Sequence, residues 1–130
     1  MINYLSLAAG GAIGTIIRFV LINTTVQYFR SPIFPWGTLI VNLSGSFIIG
    51  ILAGLNESDL LNPGIRTFLF IGLLGGFTTF STWIVDSRRL IDARLRREAL
   101  INVVASLIIG LLAAVAGWAI GAWLGGSTGF

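Results

Sequence analysis

Four long apolar segments make up most of this 130-residue chain and constrain what it can fold into. Each has about 20 residues or more, the length that an α-helix needs to cross a bilayer. The segments run from Tyr4 to Phe29, Trp36 to Leu55, Thr67 to Val85 and Ala99 to Leu124. At 10% charged residues and a mean hydropathy of +0.94, the chain is too apolar for a soluble domain. The sequence therefore predicts an all-α membrane protein, a single four-helix domain over residues 1–130.

The third segment contains the run Gly-Gly-Phe-Thr-Thr-Phe-Ser-Thr-Trp at residues 75–83. Paired glycines lower helix stability through backbone entropy, and successive threonines offer the backbone competing hydrogen bonds. We therefore predict a third helix over residues 67–97 that is broken near midplane at residues 75–79. Irregular backbone at membrane depth persists only where protein or a water-filled cavity covers it, so this break is the predicted functional centre. The alternative is a simple kink satisfied by Ser and Thr side chains.

Several residue types are missing, and their absence limits the reactions that the chain could catalyse within the membrane. The chain has no cysteine and no histidine, and its five carboxylates, at residues 57, 59, 86, 92 and 98, lie at or beyond the predicted helix ends. Acid–base and thiolate chemistry within the membrane therefore lack their usual residues, and an enzyme is not expected. A channel for a small ion fits best. The alternative is another small-ion pathway or a proton-coupled exporter of the small multidrug type, which would need an embedded carboxylate.

A break in a membrane helix leaves backbone groups that can bind ions. Carbonyl oxygens of an unwound segment suit a hard cation such as Na+, and the N-terminus of a half-helix suits an anion. Phe80 and Trp83 lie three residues apart and project from one face of the second half-helix. Their ring edges carry partial positive charge and can contact a small anion, and the hydroxyls of Ser81 and Thr82 lie beside them. Packing alone is the alternative role for the rings.

Small and polar residues recur about every four positions along three of the segments, and such stripes let helix backbones approach closely. We assign the glycines to helix packing. Asn42, Asn102 and Ser106 suit either an interhelical hydrogen bond or a functional site, because polar side chains are costly inside a membrane. The stripes are Gly10 and Gly14; Thr38, Asn42, Ser46, Gly50 and Gly54; and Asn102, Ser106, Gly110, Ala113, Gly117, Gly121 and Gly125.

Arg18 is the only charged residue within a predicted span. It lies about 16 residues along the first helix, or ~24 Å at 1.5 Å per residue, which places it nearer the far interface than the centre. Two roles remain open for it. Arg18 either snorkels to the lipid headgroups or forms an electropositive vestibule that attracts anions.

The remaining arginines lie at the predicted helix ends, where headgroups rather than nucleic acid are the expected partners. Leu90, Ile91 and Leu95 recur at helical spacing, so the third helix is predicted to extend past the bilayer as an amphipathic stretch. Six arginines fall on one face of the membrane and one on the other, which taken alone places both termini outside. Four helices of one copy enclose little volume, so self-association is expected.

Several motifs resemble those of the Fluc (CrcB) family of fluoride channels, in the same order and over nearly the whole chain. An ordered set of this kind is specific, whereas a lone GxxxG would not be. The motifs are Gly-Gly-Ala-Ile-Gly at residues 10–14 leading to Arg18 and Phe19, Trp-Gly-Thr-Leu-Ile-Val-Asn-Leu-Ser-Gly-Ser-Phe at 36–47, Gly-Gly-Phe-Thr-Thr-Phe-Ser-Thr at 75–82, and Asn102 with Ser106.

The resemblance implies a homodimer of four-helix subunits, inserted antiparallel (dual topology) in the plasma (inner) membrane of a prokaryote. Two pores along the subunit interface would let cytoplasmic fluoride leave down its electrochemical gradient. Backbone carbonyls of Gly75 and Thr78 from both subunits would hold a structural Na+ at the centre of the interface. The implied pore residues are Asn42, Phe80, Ser81, Thr82, Trp83 and Ser106.

Two features depart from the family pattern. The second pore aromatic is usually phenylalanine, and Trp83 occupies that position here. An indole is larger and adds an N–H donor, which would alter, slow or block conduction. Antiparallel insertion also normally goes with a weak charge bias, whereas the predicted distribution of arginines is six to one.

Overall fold

The computed structural model describes residues 4–29, 33–56 and 62–126, and most of these residues are helical. Helix α1 runs over Tyr4–Phe29, and α2 over Trp36–Asn56. The third span is composite: α3 (Pro63–Arg66), a π-helical segment (Thr67–Leu73), α4 (Leu74–Phe77) and α5 (Phe80–Asp92). Helix α6 covers Arg96–Leu124. Four spans are long and apolar enough to cross a membrane, so the predicted all-α architecture with a broken third helix is confirmed.

The third span begins at Pro63, earlier than the predicted start at Thr67. Asn62 caps it, because its Oδ1 accepts a hydrogen bond from the Ile65 N–H at 2.9 Å. Proline suits the first helical position, where no N–H is needed, and asparagine suits the cap. Asn-Pro-Gly is also a turn sequence, which explains why the sequence places the helix start later.

The break comprises only Thr78 and Thr79, whereas the sequence predicts it over residues 75–79. The two threonines have extended backbones, with ψ of 157° and 120°. Gly75 and Gly76 remain helical within α4. A Cβ on Gly76 would lie 3.0 Å from the Cα of Gly11 in α1, so this glycine serves close helix contact and not unwinding.

The predicted continuation of the third helix to residue 97 is wrong. Helix α5 ends at Asp92, and a tight turn over residues 93–95 leads into α6 at Arg96, ahead of the predicted start at Ala99. Arg94 has a φ of 63°, a left-handed conformation that reverses the chain. The turn is closed by a hydrogen bond from the Leu95 N–H to Leu90 O at 2.8 Å. Apolar spacing alone does not reveal such a reversal. Leu90 and Ile91 are both apolar and adjacent in α5, yet Leu90 is buried and Ile91 is exposed.

Glycine contacts fasten α1 to the third span. A Cβ on Gly10 would approach Phe68 O to 2.7 Å, and a Cβ on Gly14 would collide with Leu73 O. Both obstacles are backbone atoms, which cannot rotate away. The predicted packing role of these glycines is therefore confirmed.

Helices α2 and α6 pack in the same manner. A Cβ on Gly50 or Gly54 of α2 would collide with backbone atoms of α6. In return, a Cβ on Gly117 or Gly121 of α6 would collide with α2 at Phe47 and Ile51. The stripes in the second and fourth segments therefore meet each other, as close-packed membrane helices require.

We expect Gly14→Ala to lower the free energy of unfolding by about 1–3 kcal/mol, the usual cost of overpacking, because the new methyl meets the Leu73 carbonyl. Thermal unfolding in detergent, followed by circular dichroism, measures the effect. Gly11→Ala is the matched control on the same helix, since its Cβ would lie 4.0 Å from the nearest atom, Gly72 O. Equal midpoints for the two variants would contradict the assignment.

Candidate functional site

Thr78 and Thr79 form the joint between α4 and α5. Thr78 ends α4, and both its N–H and its Oγ1 donate to Leu74 O at 2.9 Å. Thr79 begins α5 as its N-cap, because its Oγ1 accepts from the Thr82 N–H at 3.2 Å. Threonine side chains are thus used on both sides of the break, in the manner expected of residues that compete with helical hydrogen bonds. The joint is a defined structure with its own partners.

Asn42 of α2 holds this joint from the side. Its Nδ2 donates to Thr79 O at 2.9 Å, and its Oδ1 accepts from the Thr79 N–H at 2.9 Å. The side-chain amide therefore pairs with the backbone of Thr79 as another peptide would. One Nδ2 hydrogen is left, because a carboxamide has two. The sequence left open whether Asn42 forms an interhelical hydrogen bond or belongs to a functional site. The structure shows the interhelical hydrogen bonds, and one Nδ2 hydrogen remains that could serve a site.

These hydrogen bonds divert two N–H groups from their helical acceptors. The Thr79 N–H, which would otherwise reach back to Gly75 O, donates to Asn42. The Thr82 N–H, which would reach back to Thr78 O, donates to Thr79 Oγ1. The carbonyls of Gly75 and Thr78 thereby lose their usual i+4 partners. These are the two carbonyls that the sequence analysis names for a cation.

Arg18 reaches the same joint. Its Nη1 donates to Thr78 O at 3.4 Å, and its residue is half-buried. The distance estimate along α1 places Arg18 nearer the far interface, but the structure sets it beside the break. The reason is that α1 and the third span run parallel, and both Arg18 and Thr78 lie about 15 residues from the start of their spans. The Arg18 guanidinium therefore lies beside Thr78 O, one of the two carbonyls predicted to bind Na+.

A cleft of about 380 Å³ opens beside the break and brings several predicted site residues together. Asn42, Gly75, Thr78 and Phe80 all line it. Phe80 is 73% exposed. A Cβ on Gly75 would meet nothing within 4 Å, in contrast to its neighbour Gly76. The cleft is thus an open surface of the single chain, polar at the joint and aromatic at one edge.

Trp83 packs beside Phe80, with ring centroids 5.2 Å apart and planes inclined at 51°. The two rings therefore share a face, as their spacing predicts. The Trp83 indole nitrogen, however, is buried and has no hydrogen-bonding partner among the described residues. Asn102 Oδ1 and Ser106 Oγ are buried and unpartnered in the same sense. Ser106 is half-buried with its hydroxyl turned away from solvent, and it does not line the cleft.

A hydroxyl fixes the orientation of Asn102. Ser87 Oγ donates its one hydrogen to Trp83 O at 2.8 Å, so it can only accept from Asn102, whose Nδ2 lies 3.0 Å away. Asn102 Oδ1 must then point elsewhere. Helices α5 and α6 form an antiparallel hairpin. Trp83 lies four residues from Ser87, and Ser106 lies four residues from Asn102, so each is about one helical turn further from the connecting turn.

Ser81 and Thr82 take different positions. Ser81 is exposed, and its Oγ lies 3.4 Å from Thr79 Oγ1. Thr82 lines a second cleft, of about 510 Å³, near the end of the third span. Of the six implied pore residues, Asn42 and Phe80 line the first cleft and Thr82 lines the second. Ser81 is exposed and lines neither, and the polar side-chain atoms of Trp83 and Ser106 are buried.

The second cleft contains a carboxylate that the sequence analysis misplaces. Asp86 is expected just past the apolar span that ends at Val85, but its side chain is only 13% exposed within α5. Thr38 Oγ1 donates to it at 2.6 Å, and Arg89 Nη1 lies 3.6 Å from its other oxygen. A single sequence does not show that α2 lies beside this part of α5 and covers the carboxylate. Thr38 lies four residues before Asn42 and shares its face, which is the one partial signal that the sequence contains.

Comparison with known proteins gives consistent results over most of the chain. A family model described as CrcB-like protein, Camphor Resistance (CrcB), matches residues 5–118. A protein of Agrobacterium fabrum named fluoride-specific ion channel FluC is 42% identical over 93% of this chain and 97% of its own length. Proteins of the same name from Parabacteroides distasonis and Thermus thermophilus are 42% and 41% identical over 93% and 95% of this chain, respectively, and over 94% and 97% of their own lengths.

We expect Asn42→Leu to destabilise the fold strongly, because it removes both partners of the Thr79 backbone. Each buried backbone group left unpaired costs about 1–3 kcal/mol. Thermal unfolding in detergent measures the effect, with Ser44→Ala as the control on the same helix. Among the described residues the Ser44 hydroxyl bonds to two carbonyls of its own helix, at 2.7 and 3.1 Å, so its loss is expected to be mild. A midpoint for Asn42→Leu as high as that for Ser44→Ala would contradict the clamp.

Proposed function

The chain belongs to the CrcB family, and we propose that it is a fluoride-selective channel that releases cytoplasmic fluoride passively, down its electrochemical gradient. The matching relatives from bacteria are named fluoride-specific ion channels, and the chain covers nearly their whole length. Their names agree with the expectation that the chain is not an enzyme. Bacterial relatives and four membrane spans also support a multi-pass protein of the prokaryotic plasma (inner) membrane.

The observation that carries this proposal is the cleft beside the break. Its anion-binding groups are the exposed edge of Phe80 and the remaining N–H of Asn42, and neither carries a full charge. Weak, neutral donors suit conduction, because an ion must leave its site as readily as it enters. Arg18 supplies a nearby positive potential through its position at Thr78 O, which supports its proposed role as the anion vestibule.

We further propose an antiparallel homodimer with two pores. The cleft is open to the surroundings of one chain, and Phe80 is 73% exposed there, so a pore needs a second wall. A second copy related by twofold symmetry would supply that wall for both subunits at once and so create two equivalent paths. The open space around Gly75 also favours a partner that approaches this side of α4.

The residues at the joint fit a structural Na+ at the centre of that dimer. Gly75 O and Thr78 O have lost their helical N–H partners, and carbonyl oxygens are suitable ligands for a hard cation. Among the described residues no cluster of three acidic, histidine or cysteine side chains occurs, so backbone oxygens are the ligands on offer. The ion would supply positive charge and join the two subunits. Asn42 and Thr79 keep both carbonyls free of their helical N–H partners, and Thr78 O, which accepts from Arg18 Nη1 at 3.4 Å, has a second lone pair for the ion.

Asp86 is the observation that favours the alternative of proton-coupled export, since it is a carboxylate within a span. Its oxygens, however, are already engaged by Thr38 and Arg89. A carboxylate whose two oxygens already have partners is less available to a cationic substrate. Dependence of fluoride flux on a proton gradient, beyond its effect on voltage, would favour the coupled mechanism over the passive one.

Liposomes that contain the protein should release fluoride but retain chloride when the voltage is clamped with potassium. Phe80→Ile is expected to abolish fluoride release, because it replaces the aromatic edge with an aliphatic group. Ion-selective electrodes measure both anions, and size-exclusion chromatography checks that the variant keeps the oligomeric state of the wild type.

Trp83→Phe is the matched control for Phe80→Ile. It keeps an aromatic ring and removes the buried, unpartnered indole N–H, so fluoride release is expected to stay the same or rise. Comparable release of chloride would contradict fluoride selectivity. Unchanged flux in Phe80→Ile would reduce that ring to a packing role, and complete loss in Trp83→Phe would give the indole an adapted role of its own.

Replacement at Thr78 tests the cation site. Thr78→Ser keeps the backbone and the hydroxyl, and is expected to retain most of the flux. Thr78→Pro removes the N–H that donates to Leu74 O and should abolish flux and any stabilisation by Na+. Fluoride release and thermal midpoints are compared with Na+ present and with Na+ replaced by N-methylglucamine. Full activity of both variants, or no response of the wild type to Na+, would remove the ion from the proposal.

A further inference from the structure

Three arginines at the turn between α5 and α6 form no ion pair within the part of the chain that the structure describes. The ion pairs among the described residues are Arg88 with Asp92 at 3.0 Å and Arg89 with Asp86 at 3.6 Å. Arg94, Arg96 and Arg97 are exposed and have no carboxylate within ion-pair distance in the described ranges. Residues 86–98 contain five arginines and three carboxylates, so this end of the subunit carries a net positive charge, and the three arginines without an ion pair lie together within it. Such charge at the end of a membrane span lies at the level of the lipid phosphates.

A groove of about 440 Å³ between α5 and α6 lies beside these arginines. Arg96 lines its mouth, and the other lining residues run along the two helices towards the interior of the membrane. They are mostly apolar. Leu100 and Ile91 are 64% and 46% exposed, so the groove is open on its lipid-facing side. The lining residues are Ser87, Ile91, Arg96, Ala99, Leu100 and Val103.

We propose that this groove binds an anionic phospholipid of the surrounding bilayer. The headgroup phosphate pairs with Arg96 at the mouth, within the positive field of Arg94 and Arg97. An acyl chain lies between Ile91 and Leu100 along the apolar wall. A guanidinium suits phosphate because it presents several N–H donors in one plane. The combination of a cationic mouth and an apolar wall fits a lipid better than a free anion, which would gain nothing from the wall.

The turn at residues 93–95 connects this groove to the second cleft. Ala93 and Leu95 line that cleft on one side, and Arg96 follows immediately in the wall of the groove on the other. Arg94 holds the reversal in a left-handed conformation, which is costly for a residue other than glycine. A lipid seated at Arg96 would stabilise this turn. Lipid binding is therefore expected to raise thermal stability as well as to be detectable directly.

Native mass spectrometry of the detergent-solubilised protein tests the proposal by titration with phosphatidylglycerol or phosphatidylcholine. Phosphatidylglycerol is expected to bind at least fivefold more tightly, and to raise the thermal midpoint where phosphatidylcholine does not. Arg96→Gln should lower its affinity about fivefold, the equivalent of about 1 kcal/mol for one arginine near a headgroup. Neither readout depends on fluoride, so their failure is distinguishable from failure of the proposed channel activity.

Two variants distinguish a specific lipid site at Arg96 from a general effect of positive charge. Arg88→Gln removes the same charge from the same hairpin, but that guanidinium pairs with Asp92 outside the groove, so lipid affinity should change less than twofold. Leu100→Gln keeps all arginines and should weaken phosphatidylglycerol through loss of the apolar wall, while circular dichroism verifies the fold. Equal losses in Arg88→Gln and Arg96→Gln would overturn the site in favour of diffuse charge. Full competition by equimolar inorganic phosphate would overturn the lipid as the ligand.

Discussion

The pairing of Asn42 with the backbone of Thr79 is the interaction on which the rest of the structure depends. A membrane offers no water to unpaired peptide groups, so an extended residue within a span must find its partners in the protein. Asn42 supplies a donor and an acceptor, each at 2.9 Å. Without that side chain the third span would be expected to close into a continuous helix or to lose stability. The break is therefore a property of two helices and not of the third alone.

The same hydrogen bonds that stabilise the break also leave carbonyl oxygens without their helical partners. An N–H that is diverted to a side chain leaves a carbonyl behind, and this happens at Gly75 and again at Thr78. Arg18 reaches the second of these carbonyls. Stability and a potential ion site thus arise from one rearrangement of backbone hydrogen bonds, which explains how so small a chain can contain both.

Much of this could be predicted from the sequence, because hydropathy and glycine spacing act locally. The four spans, the break and the packing of Gly10, Gly14, Gly50 and Gly54 all follow from patterns within single helices. The position of Arg18 and the partners of Asp86 could not be predicted, since both depend on which helices run side by side. The turn at Arg94 was missed for another reason: its left-handed φ of 63° belongs to an arginine, a residue that gives no turn signal.

The two halves of the third span belong to different neighbours, and this explains why it is broken at all. Before the break, backbone contacts at Gly10, Gly14 and Gly76 fasten the π-helical segment and α4 to α1. After the break, α5 joins α6 through the bond between Ser87 and Asn102 and through the turn at residues 93–95. One continuous helix would have to follow a single direction and could satisfy only one of these partners closely. Two extended threonines allow the direction to change. Asn42 hydrogen-bonds to the second of them, and it belongs to α2, the helix that packs against α6.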